Sequence, residues 1–272
     1  AFASVRASLA NVDEAGAFFV LSSRSLARNA SKMMTLLNET AQGLRFDETA
    51  RIAELVRQSN TRKQMGVVNQ GHSLAMLAAS AAFSKVSALN HQLSGLGSLA
   101  YFKGLVAKIA EGDVASLAAD LAGLYERFQQ APQSAMVIAD EAEVPQWVDA
   151  LLARGTLTQS GPAQQRILAD QTAIETAYVT ETEVNFCAAA YRCPSESSAA
   201  VAAVQVLAAV LRNQYLHAEI REKGGAYGGG ASYDAANGLF RLYSYRDPEL
   251  RKTFVVFDGA LDAVRSMKWS SS

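Results

Sequence analysis

The sequence predicts an α+β fold of two related units, each an antiparallel or mixed β-sheet packed with helices. Three observations predict it. Strand-like runs and amphipathic helical stretches occur together in both halves of the chain. A stretch rich in Gly, Pro, Gln and Thr, residues 156–171, separates the halves as a linker. Near the end a glycine-rich crossing leads into two strands joined by an Asn-Gly turn, and then into a helix start. The units are expected over 1–155 and 177–272, with 156–176 between them and the outermost elements truncated.

Taken in order, residues 2–9 and 17–23 read as a strand pair. Asn29 is placed to cap a helix running to Gly43, with Met33, Leu36, Leu37 and Ala41 at helical spacing. A second helix is expected over 47–66 with Ile52, Leu55 and Val56 inward, a third over 73–83, and helical pattern from 86 to 106. Asp113 precedes a strong amphipathic helix whose stripe is Val114, Leu117, Leu121, Leu124, Tyr125 and Phe128. Residues 134–139 read as a short strand, and Pro145 starts a helix that Gly155 ends.

Beyond the linker, 177–193 is strand-like, interrupted by the polar residues Glu181, Thr182 and Glu183. Ser195 or Ser197 opens a long helix to Lys223 that is apolar on nearly every side until Arg212, the pattern of a sandwiched helix. Asn237-Gly238 marks a hairpin between strands at 231–234 and 239–245. Asp247-Pro248-Glu249 reads as a capped helix start, with Leu250, Phe254, Phe257, Leu261 and Val264 on the buried face.

Composition bounds the function. A chain of 272 residues with 50% hydrophobic and 19% charged content is that of a folded protein, and a net charge of −1 argues against nucleic acid or a charged membrane surface as partner. The most apolar run, 199–211, contains Gln205 and is too short to span a bilayer. Two cysteines, Cys187 and Cys193, make neither a disulfide framework nor a zinc site alone, and read as buried free thiols. The chain opens at Ala1 inside a strand-like run with no charged leader, so a fragment of a longer soluble protein is expected.

The informative stretch runs from Arg221 to Pro248. Arg221 lies in the last helical turn, and Tyr227 follows just past Gly224 and Gly225, which can reverse the chain at positive φ. A cation and a phenol, both hydrogen-bond donors, are thereby brought together at the mouth of a strand. Each has a purely structural reading: Arg221 as the cation that complements a helix dipole, Tyr227 as an aromatic packed on a sheet. The combination Arg-x5-Tyr with glycine on both sides of the tyrosine is more specific than either residue. The glycines, Gly228 among them, let a peptide backbone approach closely. They form neither of the phosphate-binding glycine motifs, because a strand and not a helix follows.

The run from Arg221 to Gly229 and the Leu-Tyr-Ser-Tyr-Arg-Asp-Pro run at 242–248 closely resemble the C-terminal part of the pitrilysin/insulinase superfamily of zinc peptidases, in its presequence-protease branch. The run from Gly71 to Met76 is similar to the same branch. The resemblance implies a chain that is the C-terminal half of a clamshell metalloendopeptidase degrading short unfolded peptides. It implies that Arg221 and Tyr227 hydrogen-bond the substrate carbonyl and oxyanion, with Gly224, Gly225 and Gly228 positioning the backbone. It also implies a partner, the N-terminal half of the same peptidase, carrying the zinc. The location implied is the cytoplasm of a bacterium or an organelle matrix of a eukaryote.

That zinc is not expected here. The superfamily motif His-x-x-Glu-His needs two histidines on one helix face, and His72, His91 and His217 are never so spaced. No catalytic residue, metal or cofactor is therefore expected in this chain, which alone should be inactive. His72 and His91 read as helix-surface or core histidines. A second reading is a non-catalytic peptide-binding or partner subunit of the same superfamily, since some members pair a zinc-free subunit with a catalytic one.

Overall fold

Strands β1 (Phe2–Ala7) and β2 (Ala15–Val20) pair antiparallel, from Phe2↔Val20 to Ala7↔Ala15. They belong to a computed structural model that describes residues 2–7, 15–152, 175–193 and 200–266. The helix end expected at Gly155, the linker expected at 156–171 and the helix openings at Ser195 or Ser197 lie outside the described residues. Seven helices follow β2: α1 (Ala30–Gln42), α2 (Thr49–Asn69), α3 (Gly71–Ser80), α4 (Lys85–Leu93), α5 (Gly97–Ala110), α6 (Val114–Gln130) and α7 (Val144–Leu152). The α6 stripe does as its spacing predicts. Phe128 stacks on Phe19 at 4.3 Å between centroids, tying α6 to β2. The Tyr125 hydroxyl donates to the Ala41 carbonyl at 2.8 Å, tying α6 to α1.

Three expectations for this part need correction. Asn29 and Asp113 precede their helices, but neither side chain makes a capping bond. The helical pattern at 86–106 is two helices, broken at residues 94–96 where the Ser94 and Gly95 N–H groups both donate to the Asn90 carbonyl. The strand expected at 134–139 does not form. Met136 and Ile138 are 82% and 88% exposed. Alternation supplies the side chains of a strand, but a strand also needs a neighbour to fill its hydrogen bonds, and no described residues provide one.

The second sheet holds the candidate site. Its strands are β3 (Ala188–Arg192), β4 (Gly228–Asp234) and β5 (Leu239–Tyr245), in the order β3-β5-β4 with both pairings antiparallel. β4 and β5 are joined by a 3₁₀ turn, Ala235–Asn237, closed by the Asp234 carboxylate accepting from the Asn237 N–H and by Gly238 at φ +61°. Helix α8 (Val201–Leu211) and its π-helical continuation (Arg212–Lys223) lie against β4, and α9 (Arg251–Ser266) packs on the continuation. Their shared core is Cys187, Ala208, Leu211, Leu216, Ile220, Ala226, Ala231, Phe240, Leu242, Phe257 and Ala260. The expected buried set on α9 is corrected. Thr253, Phe257 and Ala260 are its buried residues, whereas Leu250, Phe254 and Leu261 are exposed. The helix starts at Arg251, not at Pro248, because Asp247 is drawn into an antiparallel bridge with Asn185. That shift of start rotates the inward face away from the leucines. The strand expected over 177–193 is likewise short. Only 188–192 pair with β5, and Asn185 contributes the isolated bridge.

The other face of this sheet is covered by α3, which contacts β3 and β5. The approach is close enough that a Cβ on Gly71 would overlap the Phe186 ring. Gly71→Ala is therefore expected to destabilise the protein by about 1–3 kcal/mol, read as a lower urea midpoint.

Burial lowers the pKa of His72 on this face and of His91 on α4. The unfolded chain, with an ordinary histidine pKa of about 6.5, takes up these protons first as pH falls. The stability these groups support is complete above that value and declines as pH drops through their lower folded values. Replacing both with Gln should flatten the pH dependence of Tm between about 6.5 and 5.

Candidate functional site

The π-helical segment ends in a fold-back that places Arg221. The Ala226 N–H donates to the Ile220 carbonyl and the Gly225 N–H to the Arg221 carbonyl, each at 3.1 Å. This is a Schellman termination, with Gly225 in the left-handed region at φ +78°. Of the two glycines expected to turn the chain, only Gly225 does so by positive φ. Gly224 keeps a φ of −87°. Its role is clearance, since a Cβ there would lie 2.6 Å from the Ile220 carbonyl oxygen. Gly225→Ala is expected to cost about 1–2 kcal/mol, because an L side chain in the left-handed region meets its own carbonyl. Denaturant titration measures that loss.

The reversal brings the predicted pair together. The Arg221 guanidinium carbon lies 5.6 Å from the centroid of the Tyr227 ring, within cation–π range. Tyr227 stands just before β4 and is 65% exposed, so its ring and hydroxyl are not consumed by the core. Its N–H donates to the Arg246 carbonyl at 3.2 Å, fixing the backbone on which the ring is mounted.

The next glycines divide by task. A Cβ on Gly228 would meet nothing within 4 Å. On Gly229 it would crowd the Ile220 side chain at 2.9 Å, and on Gly230 the Arg212 stem and the Tyr243 hydroxyl at 3.1 Å. These two glycines let β4 lie directly under the helix. Gly228 faces open space.

Three residues around the pair carry no signal that sequence reading used. Tyr245 is the hub of an aromatic group, with ring centroids of His72 at 4.8 Å, Phe186 at 5.7 Å and Tyr227 at 5.7 Å. Arg246 places its guanidinium carbon 5.5 Å from the Tyr245 ring. The alternation of Tyr243 and Tyr245 along β5 was the available clue to a shared sheet face, and His72 also meets Tyr243 at 5.6 Å. His72 itself, read as a surface or core histidine, braces the ring behind Tyr227.

Nucleophilic thiol chemistry finds no support at Cys187. Burial raises its pKa to about 11, so the thiol is protonated at neutral pH, and Cys193 is shifted the same way. In the native protein Cys187 is expected to react with a thiol reagent only at the rate of unfolding. Rapid labelling without denaturant would contradict this.

The three histidines lie apart. His72 sits against Tyr243 and Tyr245, His91 Nε2 is 3.2 Å from the Tyr178 hydroxyl, and His217 Nδ1 is 3.3 Å from Glu222. Among the described residues no group of three or more His, Cys, Asp or Glu could hold a metal ion. The residues present do not fit a catalytic zinc. Nor, among them, is any helix long and apolar enough to cross a membrane.

Comparison with known proteins bears on the same residues. Residues 1–105 match a family described as peptidase-associated, and residues 175–270 match the "PreP C-terminal domain". The mitochondrial presequence protease of Yarrowia lipolytica is 29% identical over 259 residues, covering 93% of this chain and 26% of that protein. The mitochondrial presequence protease of Danio rerio is 28% identical over 281 residues, covering 92% and 27%. Presequence protease 1 of Arabidopsis thaliana, chloroplastic/mitochondrial, is 26% identical over 273 residues, covering 94% and 24%. The chain thus spans about a quarter of the length of the curated relatives it matches.

Proposed function

The chain belongs to the presequence-protease family of peptidases, as part of its C-terminal region, and from that premise we propose that it is the substrate-clamping part of a zinc metalloendopeptidase. The observation that carries the proposal is the Arg221–Tyr227 pair, two exposed donors mounted on a helix termination and a strand end that hold them rigidly. In this reading both donate hydrogen bonds to the carbonyl oxygen of a peptide bond. As that oxygen gains negative charge during hydrolysis, the bonds strengthen, and the barrier falls because the donors need not reorganise. The open side of Gly228 leaves room for an extended backbone beside the pair. Zinc, held by the N-terminal half of the same peptidase, supplies the nucleophile's activation. This chain orients the peptide and stabilises charge.

The substrates in this reading are short unfolded peptides, and the setting is an organelle matrix in a eukaryote or the cytoplasm of a bacterium. The test is reconstitution. This chain alone should retain no zinc on dialysis and cleave no peptide, while the chain combined with the N-terminal half should do both. Cleavage by this chain alone would overturn the proposal, as would full activity of the N-terminal half without it.

A further inference from the structure

We propose that Arg246 is a specificity residue that binds a carboxylate of the peptide held at Arg221 and Tyr227, an inference that rests on the clamping role proposed for that pair. Arg246 is the one non-glycine residue with positive φ among those described, at +49°. Glycine would occupy this backbone without strain, whereas an arginine there is held against its own preference. Strain of this kind, when the surroundings enforce it, points toward function.

The surroundings do enforce it. The Arg246 carbonyl accepts the Tyr227 N–H, so the strained residue and the clamp share one backbone bond. On its other side Asp247 is pinned. Its N–H donates to the Asn185 carbonyl, and its carboxylate accepts from the Glu249 N–H and the Thr253 hydroxyl. The Arg246 side chain, by contrast, has little part in holding the fold. It is exposed, no described carboxylate pairs with it, and its recorded contact is the face of the Tyr245 ring.

A guanidinium lying over a ring keeps the N–H donors of its plane available for a planar, bidentate acceptor. Tyr245 meets Tyr227 edge to face, and Tyr227 carries Arg221. Each tyrosine of the contacting pair therefore bears one cation. With the scissile carbonyl at Arg221 and Tyr227, Arg246 is left to take a carboxylate elsewhere on the same peptide. Its source is either an acidic side chain or the C-terminal carboxylate.

The experiment uses the full-length peptidase and one quenched-fluorescent peptide in four forms. These have Glu or Gln beside the scissile bond, each with a C-terminal carboxylate or carboxamide. Arg246→Gln should lower kcat/KM about tenfold, through KM, for the forms bearing the relevant carboxylate and leave the neutral form unchanged. Loss confined to the Glu forms identifies an acidic side chain, and loss confined to the free-acid forms identifies the C-terminus. Either supports the proposal. Equal values for all four forms, in the wild type or in the size of the Arg246→Gln effect, overturn it.

Arg246→Gly separates binding from folding. Relief of the backbone should leave Tm unchanged or higher while the carboxylate preference is lost. A lower Tm with a uniform loss over all forms would make Arg246 structural and overturn the proposal. Tyr227→Phe should depress kcat for all four forms alike. If it does not, the clamping role fails at Tyr227 while the Arg246 result still reads independently.

Discussion

Tyr227→Phe in the full-length peptidase is expected to lower kcat by about 10²–10³, with KM and Tm nearly unchanged. The substitution removes one hydroxyl and keeps the ring. The ring makes the contacts recorded for Tyr227, with Arg221 at 5.6 Å and with Tyr245 at 5.7 Å. The backbone bond to Arg246 is also untouched. What disappears is a donor aimed at charge that exists only during the reaction, so the loss belongs in kcat. A folded variant with unchanged kcat would remove Tyr227 from the chemistry. Loss confined to KM would make it a ground-state contact.

Asp247→Ala is expected to lower stability by about 2–3 kcal/mol, the scale of lost hydrogen bonds to a buried charged group. Asp247 is fully buried. Its carboxylate accepts from the Glu249 N–H at 2.9 Å and the Thr253 hydroxyl at 2.6 Å, and alanine would leave both donors without it. Because Asp247 follows Arg246, loosening it should also loosen the carbonyl that holds the Tyr227 N–H. The stability loss should therefore come with a fall in kcat. Asp247→Asn, which keeps one carboxamide oxygen as acceptor, should lose less of both. Urea titration paired with peptide kinetics reads the two effects, and an alanine variant as stable as wild type would refute the assignment.

Much of the local structure was legible because it depends on neighbours in sequence. The Phe128 and Tyr125 stripe of α6, the turn at Asn237-Gly238 and the helix end at Arg221 all follow from spacing or from glycine, and all occur. Legibility failed where an element needs a distant partner. The run at 134–139 alternates correctly and has no strand beside it among the described residues. Asp247-Pro248 has the chemistry of a helix cap, yet Asn185, 62 residues earlier, takes its backbone for a bridge and moves the helix start to Arg251.

The sequence by itself determined the class of the fold, the two donors Arg221 and Tyr227, and the lack of paired histidines for a zinc motif, because these depend on residue identity and short spacing. Only the tertiary structure decided what surrounds the pair. Helix α3 carries His72 to Tyr245, and the meeting of β4 with the end of β5 ties Tyr227 to Arg246 in its left-handed conformation. The physical reason is that side-chain period tells which face a residue occupies, whereas its neighbour on that face is set by packing between segments far apart in the chain.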